Sequence, residues 1–173
     1  MSAIKKNLLC AFLVTLGLIL GYLEQTFLPL PFYGLKIGLS NLPVIFVLYY
    51  LGIGYAYTTG ILKAILSGLL FSGVMSIFYS FFGIIFAVSG MGFVKKSGKC
   101  SAIGVSVAGS SLFQVGQVAV ACIILSSKAP LYYLAYLLIG SVFCGVISGI
   151  LIKWLGCRLR LFKENIHETE IKC

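Results

Sequence analysis

The sequence predicts an all-α integral membrane protein, a bundle of six transmembrane helices with both termini in the cytoplasm. Of its 173 residues, 60% are hydrophobic and 10% are charged, whereas an ordinary globular chain has about 25% charged residues. The apolar runs approach the ~20 residues that cross a ~30 Å hydrocarbon layer. They lack the strict alternation of a membrane β-barrel. Because backbone groups in lipid must be bonded internally, these runs predict helices.

The individual helices follow from where the apolar runs begin and end. The stretch 41–94 has one charged residue, Lys63, and is too long for one helix. If the N-terminus and the 95–99 loop are both cytoplasmic, this stretch crosses an odd number of times, and breaks near 52–55 and 72–76 divide it into three. The predicted helices are therefore 8–27, 38–53, 55–72, 75–94, 101–126 and 131–154.

The net charge of +9 is distributed as a membrane topology requires. Basic residues cluster at 5–6, at 95–99 and at 153–172, each next to an apolar run. Cytoplasmic loops of membrane proteins carry this excess of Lys and Arg. The pattern predicts a multi-pass protein of the cytoplasmic membrane, with the lipid bilayer as a partner and no nucleic acid. Residues 1–156 form the predicted transmembrane domain, and 157–173 form a short cytoplasmic tail.

Lys63 is a charged residue within a predicted membrane helix. A charge near the bilayer centre costs about 2.5–3.5 kcal/mol on insertion scales. Thr59 and Ser67 lie one turn before and after it, so the three share a helix face. Two interpretations remain open: Lys63 reaches the cytoplasmic surface along its aliphatic stem, or it faces the bundle interior and pairs with a carboxylate or a ligand anion.

A second polar stripe lies on the fifth predicted helix. Ser106, Ser110, Gln114 and Gln117 follow one another at helical spacing. Such residues join membrane helices through hydrogen bonds of roughly 0.6 to 2 kcal/mol each. Alternatively, they line a small-molecule cavity, since each amide both donates and accepts.

The connection after the first helix, 28–41, adds a third polar group. Glu24, Lys36 and Asn41 flank or lie within it. An ion pair between Glu24 and Lys36 could close an outer mouth, or these residues could simply be solvated. The candidate substrate-binding residues are thus Glu24, Lys36, Asn41, Lys63, Ser110, Gln114 and Gln117.

Small residues on the first helix form a candidate docking face. Gly17 and Gly21 have the G-x-x-x-G spacing that lets another helix approach closely, and Ala11 extends the ridge. The same spacing recurs at Gly145 and Gly149. Each pair serves either packing within the chain or docking of a partner subunit.

Catalytic chemistry is poorly represented in the sequence. It contains no aspartate, and its one histidine is His167, near the C-terminal end. These residues provide no Ser-His-Asp triad, no zinc cluster and no aspartate-rich Mg²⁺ site. We therefore expect a protein that is not an enzyme and that uses no cofactor and no metal.

Three segments resemble a known family: "LEQTFLPLPFYGLKIGLSN" (23–41), "LKAILSGLLFSG" (62–73) and "GVSVAGSSLFQVGQ" (104–117). They resemble the heptaprenyl diphosphate synthase component I family, also called the Gx transporter family. That family is similar to the S-components of energy-coupling-factor (ECF) transporters, six-helix proteins that bind a substrate near the outer face.

The resemblance implies a role in capturing a small-molecule substrate, such as a vitamin, a cofactor or an isoprenoid or quinone precursor. It also implies docking through helix one onto a T-component with two ATPases. Helix one carries glycines instead of the alanine-rich docking pattern, and Phe113 and Gln114 stand where the family commonly has His-Asn. The alternative implied by the family name is a non-catalytic accessory subunit of a heptaprenyl diphosphate synthase.

Overall fold

The computed structural model describes residues 3–27, 39–98 and 100–159, and these form helices without a strand. The described part contains six α-helices, a short 3₁₀ helix before the second and a π-helical turn after the third. The α-helices are α1 Ala3–Phe27, α2 Leu42–Tyr50, α3 Ile53–Ser67, α4 Val74–Lys96, α5 Ala102–Ile124 and α6 Ala129–Leu159. Five of these segments are long and apolar enough to cross a membrane, as in a multi-pass membrane protein.

Among the described residues, five segments and not the predicted six could span a membrane, because α2 is too short. It has 9 residues, and at 1.5 Å per residue it extends only about 14 Å. The 3₁₀ helix Leu39–Asn41 precedes it, and together they still fall short of a ~30 Å hydrocarbon layer. The predicted helix 38–53 is therefore a partial helix inside the bundle.

The helix directions place the two ends of the described chain on one side. Gly17 of α1 lies beside Lys63 of α3, and Tyr22 of α1 packs against Phe71, so α1 and α3 run parallel. Helices α3, α4, α5 and α6 then alternate in direction. We call the side where α1 begins and α6 ends the basic end, and the opposite side the far end. The basic end carries Lys5, Lys6, Lys95, Lys96 and Lys153.

Helix α2 forms the centre of the core. Seven consecutive residues, Pro43 to Tyr49, are buried, so no face of α2 is turned outward. Residues of α1, α3, α4, α5 and α6 join it in one hydrophobic cluster. A helix that is apolar all round is expected to be enclosed by other elements or by lipid, and here the enclosing elements are the other helices.

Two glycines lie at the predicted breaks between helices. Gly52 has a φ of 98° and precedes α3, and Gly73 has a φ of 78° and precedes α4. Such positive φ values favour glycine, which has no Cβ to clash with the backbone. The predicted breaks near 52–55 and 72–76 are therefore confirmed.

Glycines also set the close contact between α5 and α6. A Cβ added at Gly145 would lie 2.7 Å from Val107 Cα, and one at Gly149 would lie 2.6 Å from Ile103 Cα. The two backbones thus approach each other as in other small-residue helix pairs. Of the two interpretations of this G-x-x-x-G pair, packing within the chain is the one observed.

Candidate functional site

The Lys63 side chain lies inside the bundle and is 3% exposed. Its ammonium group donates to the Ser40 carbonyl oxygen at 2.9 Å, to Ser40 Oγ at 3.2 Å and to Asn41 Oδ1 at 2.8 Å. All three acceptors lie just before α2 begins. Lys63 therefore faces the interior, where it binds the chain at the far-end tip of α2, and it does not extend to the basic end.

Glu24 meets the same short segment from α1. Its carboxylate is buried, and Oε2 accepts a hydrogen bond from the Ser40 N–H at 3.3 Å. The first N–H groups of a helix have no partner within the helix and carry partial positive charge. The carboxylate therefore caps the start of the Leu39–Asn41 helix, and Ser40 links the predicted site residues Glu24 and Lys63.

Phe113 extends the cluster toward α4 and α5. The Lys63 ammonium lies 6.0 Å from the centre of the Phe113 ring, a distance at which an aromatic face attracts a cation. A Cβ added at Gly83 would lie 2.9 Å from the Phe113 ring and 3.1 Å from Gln117 Cγ. Gln117 thus packs next to Phe113 at Gly83, where α4 has no side chain.

The polar stripe of α5 faces the interior along its whole length. Ser106, Ser110, Gln114 and Gln117 are all at most 1% exposed. They do not all meet at one point, since the Ser110 hydroxyl donates to the Ser106 carbonyl oxygen at 3.1 Å and lies beside Gly145 of α6. Ser110 therefore lies at the α5–α6 contact. Gln117 instead packs next to Phe113, whose ring lies near the Lys63 ammonium.

Some buried polar atoms of the site have no hydrogen-bond partner. They include Asn41 Nδ2 and Thr59 Oγ1, on residues that are 3% and 2% exposed. An unsatisfied buried donor costs about 1–3 kcal/mol. Unpartnered polar atoms beside a buried cation are what a site for a polar ligand would supply.

Lys36 falls outside the described residues, and so does its predicted ion pair with Glu24. Within residues 3–27, 39–98 and 100–159, no group of three or more His, Cys, Asp and Glu side chains could hold a metal ion.

The predicted docking residues of α1 point in two directions. Gly17 and Gly21 are buried. A Cβ at Gly17 would lie 2.9 Å from Lys63 Cδ, and one at Gly21 would lie 3.5 Å from Ser40 Cβ. The glycines thus serve contact within the chain. Ala11 is exposed and lines a groove of about 540 Å³ between the basic-end halves of α1 and α3.

Ser40 is the residue of this site that sequence reasoning missed. It contributes its N–H to Glu24 and its carbonyl and hydroxyl oxygens to Lys63. Its neighbour Asn41 was a predicted site residue, and the proline at position 43 marks a helix start nearby. Those signals locate the tip of α2 without indicating which residue would bridge the charges.

A scan against protein-family models matches heptaprenyl diphosphate synthase component I over residues 13–155. No curated protein and no solved structure matches the chain significantly. The family match spans the Glu24–Ser40–Lys63 cluster and the full length of α2 to α5. The chain therefore belongs to the heptaprenyl diphosphate synthase component I family.

Proposed function

We propose that this chain is a membrane-embedded subunit that binds a small molecule at the far-end tip of α2, in the manner of an ECF-transporter S-component. The observation that carries the proposal is the Lys63 ammonium held in the bundle interior at the start of a partial helix. In transporters, discontinuous helices present their N-terminal ends to anionic substrate groups near the middle of the membrane. An ionisable residue inside a membrane protein is by default a functional-site hypothesis.

The orientation in the membrane follows from the charges. Because the basic end carries the lysines of α1, α4 and α6, it is the cytoplasmic side by the positive-inside rule. The chain is then a protein of the cytoplasmic membrane whose site lies toward the outer side. Its partners would include a T-component and ATPases, with the exposed Ala11 groove as a docking surface. The chain itself would not be an enzyme and would bind its substrate without a cofactor.

Mass spectrometry of small molecules retained by the purified protein tests the binding function. Wild type should retain a compound that Lys63→Met and Gln117→Leu release, because each loses a buried polar contact worth about 1–3 kcal/mol. Lys96→Met is the matched control, since Lys96 is exposed at the basic end. Equal retention by all four proteins, or no retained compound in any, would contradict the proposal.

A second candidate is a non-catalytic accessory subunit of a heptaprenyl diphosphate synthase, which the family description favours. In this candidate the chain itself is not the catalyst, since diphosphate chemistry depends on Mg²⁺ and carboxylate ligands and the sequence contains no aspartate. Copurification separates the candidates: a soluble, aspartate-rich synthase would copurify in one case, and a T-component with ATPases in the other.

A further inference from the structure

We propose that the Glu24 carboxylate occupies the place of the ligand's own carboxylate, so that the ligand of this site is a carboxylate that displaces Glu24. This inference rests on the proposed binding function and adds the chemical class of the ligand. It also assigns Glu24 the role of an internal competitor rather than a group that contacts the ligand.

The far-end tip of α2 presents backbone N–H groups to an anion. Asn41 has helical backbone angles, φ −84° and ψ −7°, so Leu39–Asn41 continues directly into α2. The N–H groups at such a start attract anions. One of them, the Ser40 N–H, already donates to a carboxylate, that of Glu24. The protein itself therefore shows which functional group this position accepts.

A donor without a partner, Asn41 Nδ2, lies on the residue next to Ser40. The Lys63 ammonium has only donors, so the Asn41 atom that faces it at 2.8 Å is the acceptor Oδ1. This contact fixes the orientation of the amide and leaves Nδ2 as the atom without a partner. A ligand carboxylate has two oxygens, and it could accept from the Ser40 N–H with one and from Asn41 Nδ2 with the other.

Charge balance favours exchange of one anion for another over the addition of a second anion. Lys63 supplies one positive charge at the site, and Glu24 is the only acidic residue before position 164. Two carboxylates in one buried place repel each other. Exchange avoids this repulsion, because one anion replaces another. Glu24 lies three residues before α1 ends at Phe27, near the far end of the bundle.

Titration of the purified full-length protein with benzoate tests the exchange, with neutral benzamide as the matched probe. Removing the competing charge in Glu24→Gln should tighten benzoate binding about tenfold, since a hydrogen bond to a charged group contributes about 1.5–3 kcal/mol. Benzamide affinity should be the same in both proteins. In the Glu24→Gln background, Asn41→Asp should remove the gain, because it keeps Oδ1 for Lys63 but replaces the Nδ2 donor with an oxygen and returns a negative charge to the site.

An infrared measurement keeps the test valid if Glu24→Gln does not fold. With Glu164, Glu168 and Glu170 changed to Gln, Glu24 is the only glutamate, and ¹³C-glutamate labelling isolates its carboxylate stretching bands. Benzoate should shift these bands and benzamide should not. Equal benzoate affinity with and without Glu24, an equal gain for benzamide, absence of benzoate binding, or unshifted bands with benzoate bound would each overturn the proposal. A retained non-carboxylate compound that depends on Lys63 would overturn this inference and leave the proposed function intact.

Discussion

Substitution of Gly17 by alanine tests whether α1 and Lys63 are packed as the structure describes. The new Cβ would lie 2.9 Å from Lys63 Cδ, and the lysine cannot retreat freely because its ammonium is held by three acceptors at 2.8 to 3.2 Å. Alanine in a helix gains about 1 kcal/mol over glycine, whereas overpacking costs about 1–3 kcal/mol. We therefore expect Gly17→Ala to be neutral or to lower the free energy of unfolding by up to about 2 kcal/mol.

Gly21→Ala is the matched control on the same face of α1. Its Cβ would meet Ser40 Cβ at 3.5 Å, an ordinary contact, so only the gain of about 1 kcal/mol applies. Equilibrium unfolding in mixed detergent micelles, followed by circular dichroism, measures both variants.

A double-mutant cycle identifies the clashing partner. In a Lys63→Ala background the atoms nearest the new Cβ are gone, so Gly17→Ala should become stabilising, and the two substitutions should be non-additive by about 1–3 kcal/mol. If Gly17→Ala has the same effect in both backgrounds, or is tolerated as well as Gly21→Ala, the described packing is refuted.

Three further predictions concern how the helices are held. Gly149→Ala should destabilise the bundle by about 1–3 kcal/mol, because its Cβ would lie 2.6 Å from the Ile103 Cα and backbone atoms cannot move aside alone. Lys95→Met should cost about 1–2 kcal/mol, because the ammonium lies 4.6 Å from the Tyr49 ring centre and donates to a carbonyl of α2 at 3.2 Å. Gly73→Ala should cost about 1–3 kcal/mol, because the residue has a φ of 78° and a ψ of 165°, a backbone region that glycine alone adopts readily. The same unfolding measurement checks all three.

Two controls accompany these variants. Lys96→Met removes a lysine that is exposed beside Lys95, and it should leave stability within about 0.5 kcal/mol of wild type. Gly54→Ala adds a Cβ with nothing within 4 Å, so it should not destabilise the protein. If the controls lower the free energy of unfolding as much as the variants do, the specific contacts are not the cause of the destabilisation.

The sequence predicts which polar residues share a helix face, but it leaves open whether Lys63 faces the bundle interior or reaches the cytoplasmic surface. Helical spacing placed Thr59, Lys63 and Ser67 on one face, and all three are buried. Gln114 and Gln117 also share one face of α5, and both are buried. Their role in binding a ligand stays a prediction.

The short length of α2 was harder to predict. Hydropathy cannot separate a helix enclosed by lipid from one enclosed by other helices, and residues 42–50 are apolar throughout. Two local signals did exist: proline favours the first turn of a helix, and glycine marks a break. Pro43 and Gly52 together leave too few residues for a crossing, which contradicts the predicted helix 38–53.

The bridging role of Ser40 could not be read from residue type. Two of its contacts use its backbone N–H and carbonyl oxygen, which nearly every residue has. Only the positions of α1 and α3 in the folded protein determine that Ser40 makes these contacts. Gly17 and Gly21 make that placement possible, because they let α1 lie against Lys63 and Ser40.

A helix that ends inside a membrane protein needs groups that satisfy its terminal N–H and carbonyl groups, since lipid supplies none. Glu24 serves the far-end tip of α2 and Lys95 serves its basic end, where Lys95 donates to the Leu48 carbonyl oxygen. An anion at one end and a cation at the other also oppose the helix dipole. Glu24 thus has a structural reason to lie at this position, and this reason limits what can replace it. A neutral ligand would leave the tip without an anion, whereas a carboxylate ligand keeps both the hydrogen bond and the charge.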